Sequence, residues 1–276
     1  MPSYLSILRA QPKPLKFLMS RLLMRSGCST LFLIEQSGFR LRFFPSSLSA
    51  ALWIDPDDRK DDAAFFRDYL RPGDTVIDAG ANVGSLSLLA ATIVGVSGRV
   101  LAVEPHPRIF GFLRQNLALN GAVTVQAENT ALGDAQGELC FSDTRSDDQN
   151  SVQRSGPGIR VPVTTLDVLA AELAQIALLK IDVEGFEIAV LHGAAGVLSR
   201  TACVYCESFE QNLQKLGWST SDLIGKLEDA GLQVFTGIKA RSLRRVRPGY
   251  VSVECEDLVA MREKEVILNR MRCAFP

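Results

Sequence analysis

From Thr75 onward, short uninterrupted apolar runs alternate with longer stretches whose apolar residues recur every three or four positions, the pattern of buried strands separated by amphipathic helices. Strands are expected at 75–79, 99–103, 122–127, 177–182, 202–206 and 232–236, with another at 250–254. Helices are expected at 84–94, 107–120, 166–174, 187–198 and 219–230. Such alternation implies a mostly parallel sheet with helices on both faces and right-handed crossovers. Upstream the pattern changes. Residues 30–35 and 39–44 flank Gln36-Ser37-Gly38 as a hairpin would, and 57–69 reads as a helix, acidic in its first turn and apolar at Ala63 and Phe66. One interruption stands between 137–142 and 159–163, an expected inserted hairpin whose polar connection, 143–158, has no helical pattern and should form a mobile tip. The chain therefore divides into an N-terminal extension of helix and hairpin (1–57), a main domain (58–254) and a tail (255–276), with 261–270 suited to a short surface helix or a dimer contact.

Chemistry enters at the first strand of the alternating region. Val76 and Ile77 suit a buried parallel strand, and Asp78 places a carboxylate at its C-terminal end, where open α/β sheets bind ligands. Gly80 and Gly84 let the backbone turn and come close to a ligand, and Ser85 starts the following helix with its free N–H groups toward the site. A dinucleotide fingerprint requires a middle glycine where the pyrophosphate approaches. Asn82 stands there, so the loop suits a ligand without a pyrophosphate. The next strand ends in Glu104-Pro105, an acid about 20 residues past the turn, the distance at which such an acid reaches a ribose.

Composition narrows the class. A chain of 276 residues with 47% apolar content can bury a full core, and a net charge of −1 gives no field for general binding of nucleic acid or an anionic membrane. No apolar run approaches the roughly 20 residues that cross a bilayer, and no secretory leader is visible, so a cytoplasmic protein is expected. The basic amphipathic segment 15–25 allows peripheral membrane contact, with packing on the main domain preferred. The basic cluster 241–247 reads as a solvated loop or a neighbour of an acidic substrate. Cys203 and Cys206 form a C-x-x-C pair inside an expected strand, where residues three apart face opposite ways, which makes a poor metal clamp.

Asp78 to Gly84, Glu104-Pro105, 131–134, Thr165-Leu166-Asp167 and above all Leu179-Lys180-Ile181-Asp182-Val183-Glu184-Gly185-Phe186-Glu187, followed by 190–194, resemble the FkbM family of S-adenosylmethionine-dependent methyltransferases across roughly residues 60–240. The resemblance implies a class I methyltransferase fold, a Rossmann-like, mostly parallel seven-stranded sheet. It also implies methyl transfer to a hydroxyl of a small molecule or glycan (sugar, glycolipid or polyketide-like metabolite), leaving S-adenosylhomocysteine. By position it assigns Asp78, Gly80, Ala81, Asn82, Val83, Gly84 and Ser85 to the methionine end of the cofactor and Glu104 with Pro105 to the ribose. Asn129, Thr130, Ala131 and Leu132 would lie beside the adenine, and Asp182 near the transferable methyl.

An alcohol is a weak acid, so a base must take its proton as the oxygen–carbon bond forms. Asp182, Glu184 and Glu207 sit at the ends of adjacent expected strands and are the catalytic candidates, Asp182 and Glu184 sharing one strand face. Their approach would raise one pKa or create a divalent-metal site, and the metal-free base is preferred because no histidine joins them. Lys180 is expected to pair with an acid beneath the site, and His106 to lie near the cofactor. Two other classes stay open, a nicotinamide-dependent oxidoreductase on a similar sheet and a non-catalytic cofactor-binding scaffold.

Overall fold

The computed structural model describes residues 11–142, 158–238, 242–262 and 270–271. The expected loop tip, the helix within the tail and Arg241 lie outside the described residues.

Strands β1 (Leu33–Gln36) and β2 (Phe39–Arg42) form the expected antiparallel hairpin. The main sheet is built from β3 (Thr75–Ala79), β4 (Arg99–Val103) and β5 (Val125–Glu128), then, beyond β6 (Ala131–Leu132), β7 (Gly137–Phe141) and β8 (Ile159–Thr164), from β9 (Ile176–Ile181), β10 (Thr201–Ser208), β11 (Gln233–Thr236), β12 (Arg244–Arg245) and β13 (Glu256–Met261). Its order is β12-β11-β13-β10-β9-β3-β4-β5. The run from β10 through β9, β3 and β4 to β5 is parallel, while β13 enters antiparallel between β10 and β11. This is the expected class I α/β sheet with two amendments. A two-residue edge strand, β12, makes it eight-stranded. The strand expected at 250–254 instead forms at 256–261, inside the segment assigned to the tail.

The displacement has a physical cause. Val251 and Val253 alternate with polar residues like a half-buried strand, yet they are 46% and 73% exposed. Leu258 to Met261 form a continuous apolar run, buried on both faces as a strand at the centre of a covered sheet must be. The helices Ser85–Val94, Pro107–Asn120 and Thr220–Asp229 form where periodicity placed them. The expected helix 187–198 splits at Gly193, where a Cβ would strike the Gly133 carbonyl. The helix at 166 stops at Leu169.

Two cores lie on opposite faces of the sheet. Cys203 belongs to one and Cys206 to the other, both fully buried, as alternation along a strand requires. The first core also takes in the N-terminal extension: the hairpin, the helix Ser47–Ile54 capped by Ser46, and Lys60–Tyr69 all pack there. Phe44 stacks on Phe112 at 4.2 Å and Phe43 on Trp53 at 5.2 Å. Buried Asn116 ties hairpin to site, accepting from the Arg42 N–H at 2.8 Å and donating to the Val83 carbonyl at 2.8 Å. The extension thereby becomes a wall of the crevice above β3, β4 and β9. No described helix is long and apolar enough to cross a membrane.

Candidate active site

The parallel strands turn their C-terminal ends toward one cavity of about 230 Å³, at the point where the chain, having laid β4 and β5 on one side of β3, places β9 on the other. Asp78 on β3 is 1% exposed; its Oδ2 accepts from Ser87 Oγ at 2.5 Å, and its Oδ1 pairs with Lys180 Nζ at 3.1 Å. Lys180 also donates to the Gly80 carbonyl at 2.7 Å and stands 3.5 Å from Asp182. Burial alone would lower the Lys180 pKa, but Asp78 and Asp182 more than offset it and hold the ammonium above its ordinary value. The lysine is thus a fixed positive floor joining β3 to β9.

Glu104 is held by backbone donors. Its Oε2 accepts from the Asn82 N–H at 3.0 Å and its Oε1 from the His106 N–H at 2.9 Å. His106 in turn caps the helix Pro107–Asn120 through Nδ1. The glycine turn follows from close packing as much as from any ligand. Gly80 has φ +80°, and a Cβ there would overlap the Asp182 carbonyl oxygen; Gly84 has φ +88°, and a Cβ would press on Leu113. Asn82 adopts φ +50°, a left-handed conformation that asparagine tolerates, and its own side chain accepts the Val83 N–H at 2.8 Å.

Of the sequence candidates, Asp78, Gly80, Ala81, Asn82, Ser85, Glu104, Pro105, Thr130, Ala131, Leu132, Asp182 and Glu184 line the cavity. Val83 instead sits in the core, Gly84 is the residue before the helix Ser85–Val94, and Asn129 lies behind the wall, donating to the Glu104 and Pro105 carbonyls at 2.8 and 3.0 Å. Glu207 is outside the lining but adjoins it.

The acids converge, though not as a strand face would bring them. β9 ends at Ile181, and Glu184 turns left-handed at φ +55° in the loop beyond, corrected from the shared strand face expected for Asp182 and Glu184. One oxygen each of Asp182, Glu184 and Glu207 lies within 4.8 Å of the others. Burial, then Asp182 and Glu184, pushes Glu207 up to about 9. Behind it, burial, then Asp62 and Asp182, pushes Asp257 up to about 7. Donors compensate in part: Asn212 donates to Glu184 at 3.1 Å, Cys255 to Glu207 at 3.1 Å, and Tyr205 to Asp62 at 2.6 Å. Glu187, at the end of the long motif, is fully buried; burial pushes it up to about 7, opposed by the N–H groups of Gly185 and Val183 that it accepts, and it braces the 182–186 loop.

The sequence places the hairpin and the 57–69 helix over one edge or the mouth of the main domain, but it does not single out the residues that line the cavity there. Ser47, Leu48 and Ala51 of the helix Ser47–Ile54, with Asp58 and Arg59, close one side, and Phe186, which packs at 5.9 Å on Trp218, closes another. Only the Ser46 cap ahead of an apolar octet could have announced that helix.

Residues 78–231 match the Methyltransferase FkbM domain. The chain is 28% identical over 143 residues to "Methyltransferase 1" of Beauveria bassiana (strain ARSEF 2860), covering 43% of this chain and 57% of that protein. It is 39% identical over 57 residues to an arsenite methyltransferase of Halobacterium salinarum, covering 21% of this chain and 15% of that one. Among solved structures it is similar to methyltransferase FkbM from Methylobacillus flagellatus KT, at TM-score 0.46 and 14% identity over 77% of this chain and 53% of that one. The chain thus spans little more than half of one of these sequence relatives and a small part of the other.

Proposed function

Since the chain belongs to the FkbM methyltransferase family, we propose that it transfers the methyl group of S-adenosylmethionine to a hydroxyl oxygen of a small molecule or glycan. The observation that carries this reading is the division of the acids at the cavity into a pinned pair, Asp78 and Glu104, and a cluster of Asp182 and Glu184 with Glu207 just outside the lining.

The cofactor brings a sulfonium, already activated, and an α-ammonium. Carboxylates at strand ends suit both. Glu104, oriented by two backbone N–H groups, would accept from the ribose hydroxyls, and charge-assisted bonds of that kind contribute roughly 1.5–3 kcal/mol each. Ala131 and Leu132 offer an apolar surface for the adenine. The protein's remaining tasks are to align oxygen, methyl carbon and sulfur, to exclude water and to accept one proton. In the transfer, the acceptor oxygen forms a bond to the methyl carbon as the carbon–sulfur bond breaks, leaving S-adenosylhomocysteine, and the hydroxyl proton passes to Asp182. Glu184 stands beside Asp182 in the same cluster, and Glu207, pushed up by burial and by both neighbours, keeps its own proton next to them.

The same trio has the donor set of a weak divalent-cation site. A shared proton is the better account, because Lys180 and Arg59 stand beside Asp182, Asn212 donates to Glu184 and Cys255 to Glu207, so much of the charge is already compensated. The free thiols Cys203 and Cys206 in the two cores fit a reducing, cytoplasmic setting.

The test is to incubate the protein with S-adenosylmethionine and a panel of sugars, glycolipids and polyhydroxylated metabolites, following S-adenosylhomocysteine by chromatography and methylated product by mass. Formation of both with one acceptor class supports the reading. Methyl transfer to nitrogen or sulfur acceptors alone would replace it.

A further inference from the structure

We propose that Arg59 binds the carboxylate of the cofactor's methionine end, an assignment that rests on the cofactor reading above. The cavity wall carries five acids, Asp58, Asp78, Glu104, Asp182 and Glu184, and two basic side chains of fixed charge, Lys180 and Arg59. S-adenosylmethionine carries two positive centres, which this wall attracts, and one carboxylate, which it repels unless a donor faces it.

Lys180 and the N–H groups of the glycine turn itself are already used. Lys180 is 4% exposed and engaged by Asp78, Asp182 and the Gly80 carbonyl. The Gly80 and Ala81 N–H groups donate to the Val103 carbonyl at 2.9 and 3.0 Å, and that of Gly84 to the Ala81 carbonyl at 2.9 Å. The Asn82 N–H goes to Glu104 and that of Val83 to the Asn82 side chain. The turn that would ordinarily hold an anion therefore has no N–H to offer between Gly80 and Gly84.

Arg59 differs. Among the described residues its guanidinium makes one side-chain hydrogen bond, a long 3.4 Å contact to Asp62 Oδ2, whose other oxygen is taken by Tyr205. A guanidinium has five N–H donors, and this side chain is 43% exposed, so most remain available. Burial opposes its charge, but Asp182 and Asp62 outweigh that and keep it cationic. Arg59, Ser85 and Leu86 border both this cavity and a smaller one of about 60 Å³, so Arg59 and the first turn of the helix that follows the glycine loop wall the same space. A planar fork there can take a carboxylate in two parallel bonds while its near neighbour Asp182 stays close to the sulfonium side.

The experiment compares the protein with Arg59→Met and Arg59→Lys by calorimetric titration, using S-adenosylmethionine and decarboxylated S-adenosylmethionine, which keeps the sulfonium and the amine. The expected result is that Arg59→Met weakens the full cofactor by about tenfold or more and the decarboxylated one by less than about twofold, with Arg59→Lys intermediate. Binding of the decarboxylated ligand also reports that the variant is folded. Equal losses for both ligands, or no loss for either, would overturn the assignment while leaving the cofactor reading standing. If the unaltered protein bound neither ligand, both would fall.

Discussion

Two sets of carboxylates meet at the C-terminal ends of the parallel strands, joined where Lys180 reaches both Asp78 and Asp182, and they are built on different plans. On the β3–β4 side, Asp78 and Glu104 are each held by close donors: Ser87 and a share of Lys180 for one, the Asn82 and His106 amides for the other. On the β9–β10 side, Asp182, Glu184 and Glu207 crowd one another, with Asp257 and Asp62 behind, and burial with mutual repulsion pushes Glu207 to about 9. A pinned acid keeps its geometry whether or not a ligand is bound, as recognition requires. A crowded acid retains affinity for a proton, as a base requires. Under the proposed function, the difference matches the first set to binding and the second to proton handling.

The largest way to break that contrast is Asp182→Asn, which should lower turnover roughly 10²–10⁴-fold, the usual span for removing a general base, while S-adenosylhomocysteine affinity changes by less than about threefold. Parallel losses in both would put Asp182 on the recognition side. Next is Gly80→Ala, which attacks the joint between the two plans, since a Cβ there meets the Asp182 carbonyl and φ is +80°. Strain of that kind costs roughly 1–3 kcal/mol, to be read from denaturant unfolding, with cofactor binding reduced alongside. Glu104→Ala should weaken S-adenosylhomocysteine by about tenfold or more in calorimetry, with the acceptor dependence of turnover at saturating cofactor unchanged. Unaltered affinity would remove Glu104 from the ribose.

A smaller effect sharpens the comparison through pH. Glu207 rises from 4.5 to about 9 on folding, so the unfolded chain loses this proton first. Stability is therefore full below about 4.5 and falls as pH rises toward 9. Glu207→Gln should flatten the thermal midpoint between these limits, raising it most at the alkaline end; an unchanged pH dependence would mean Glu207 is ionised in the native state. The smallest expected effect is that of EDTA, which should leave turnover unchanged if the trio shares a proton rather than a metal ion.

The main strands were legible because buried parallel strands are continuous apolar runs, as at 75–79 and 99–103. The helix Ser47–Ile54 escaped notice because it is apolar around nearly its whole circumference and so has no periodicity to read. β13 was misplaced because its partners, β10 and β11, are set by tertiary pairing, while the alternating 250–253 segment imitates a strand locally. In the site, Asp78, Glu104 and Asp182 were visible as strand-end acids. Arg59 was not: it lies at the start of the 57–69 helix, an element expected over an edge or the mouth of the domain, and nothing in the local pattern sets which of its residues reaches the cavity. Packing of Phe43, Phe44 and Asn116 fastens the upstream elements there. Glu184 was found by motif, but its left-handed turn depends on packing that no local pattern records.

Both sets of acids take their roles from the cofactor, and the decisive experiment on it is calorimetric titration of the protein with S-adenosylhomocysteine, with NADH as the comparison ligand. Micromolar binding of the first and none of the second is the result expected of a crevice whose middle glycine position carries Asn82 and whose ribose acid is Glu104. Binding of NADH and not of S-adenosylhomocysteine would contradict it and return the fold to the oxidoreductases.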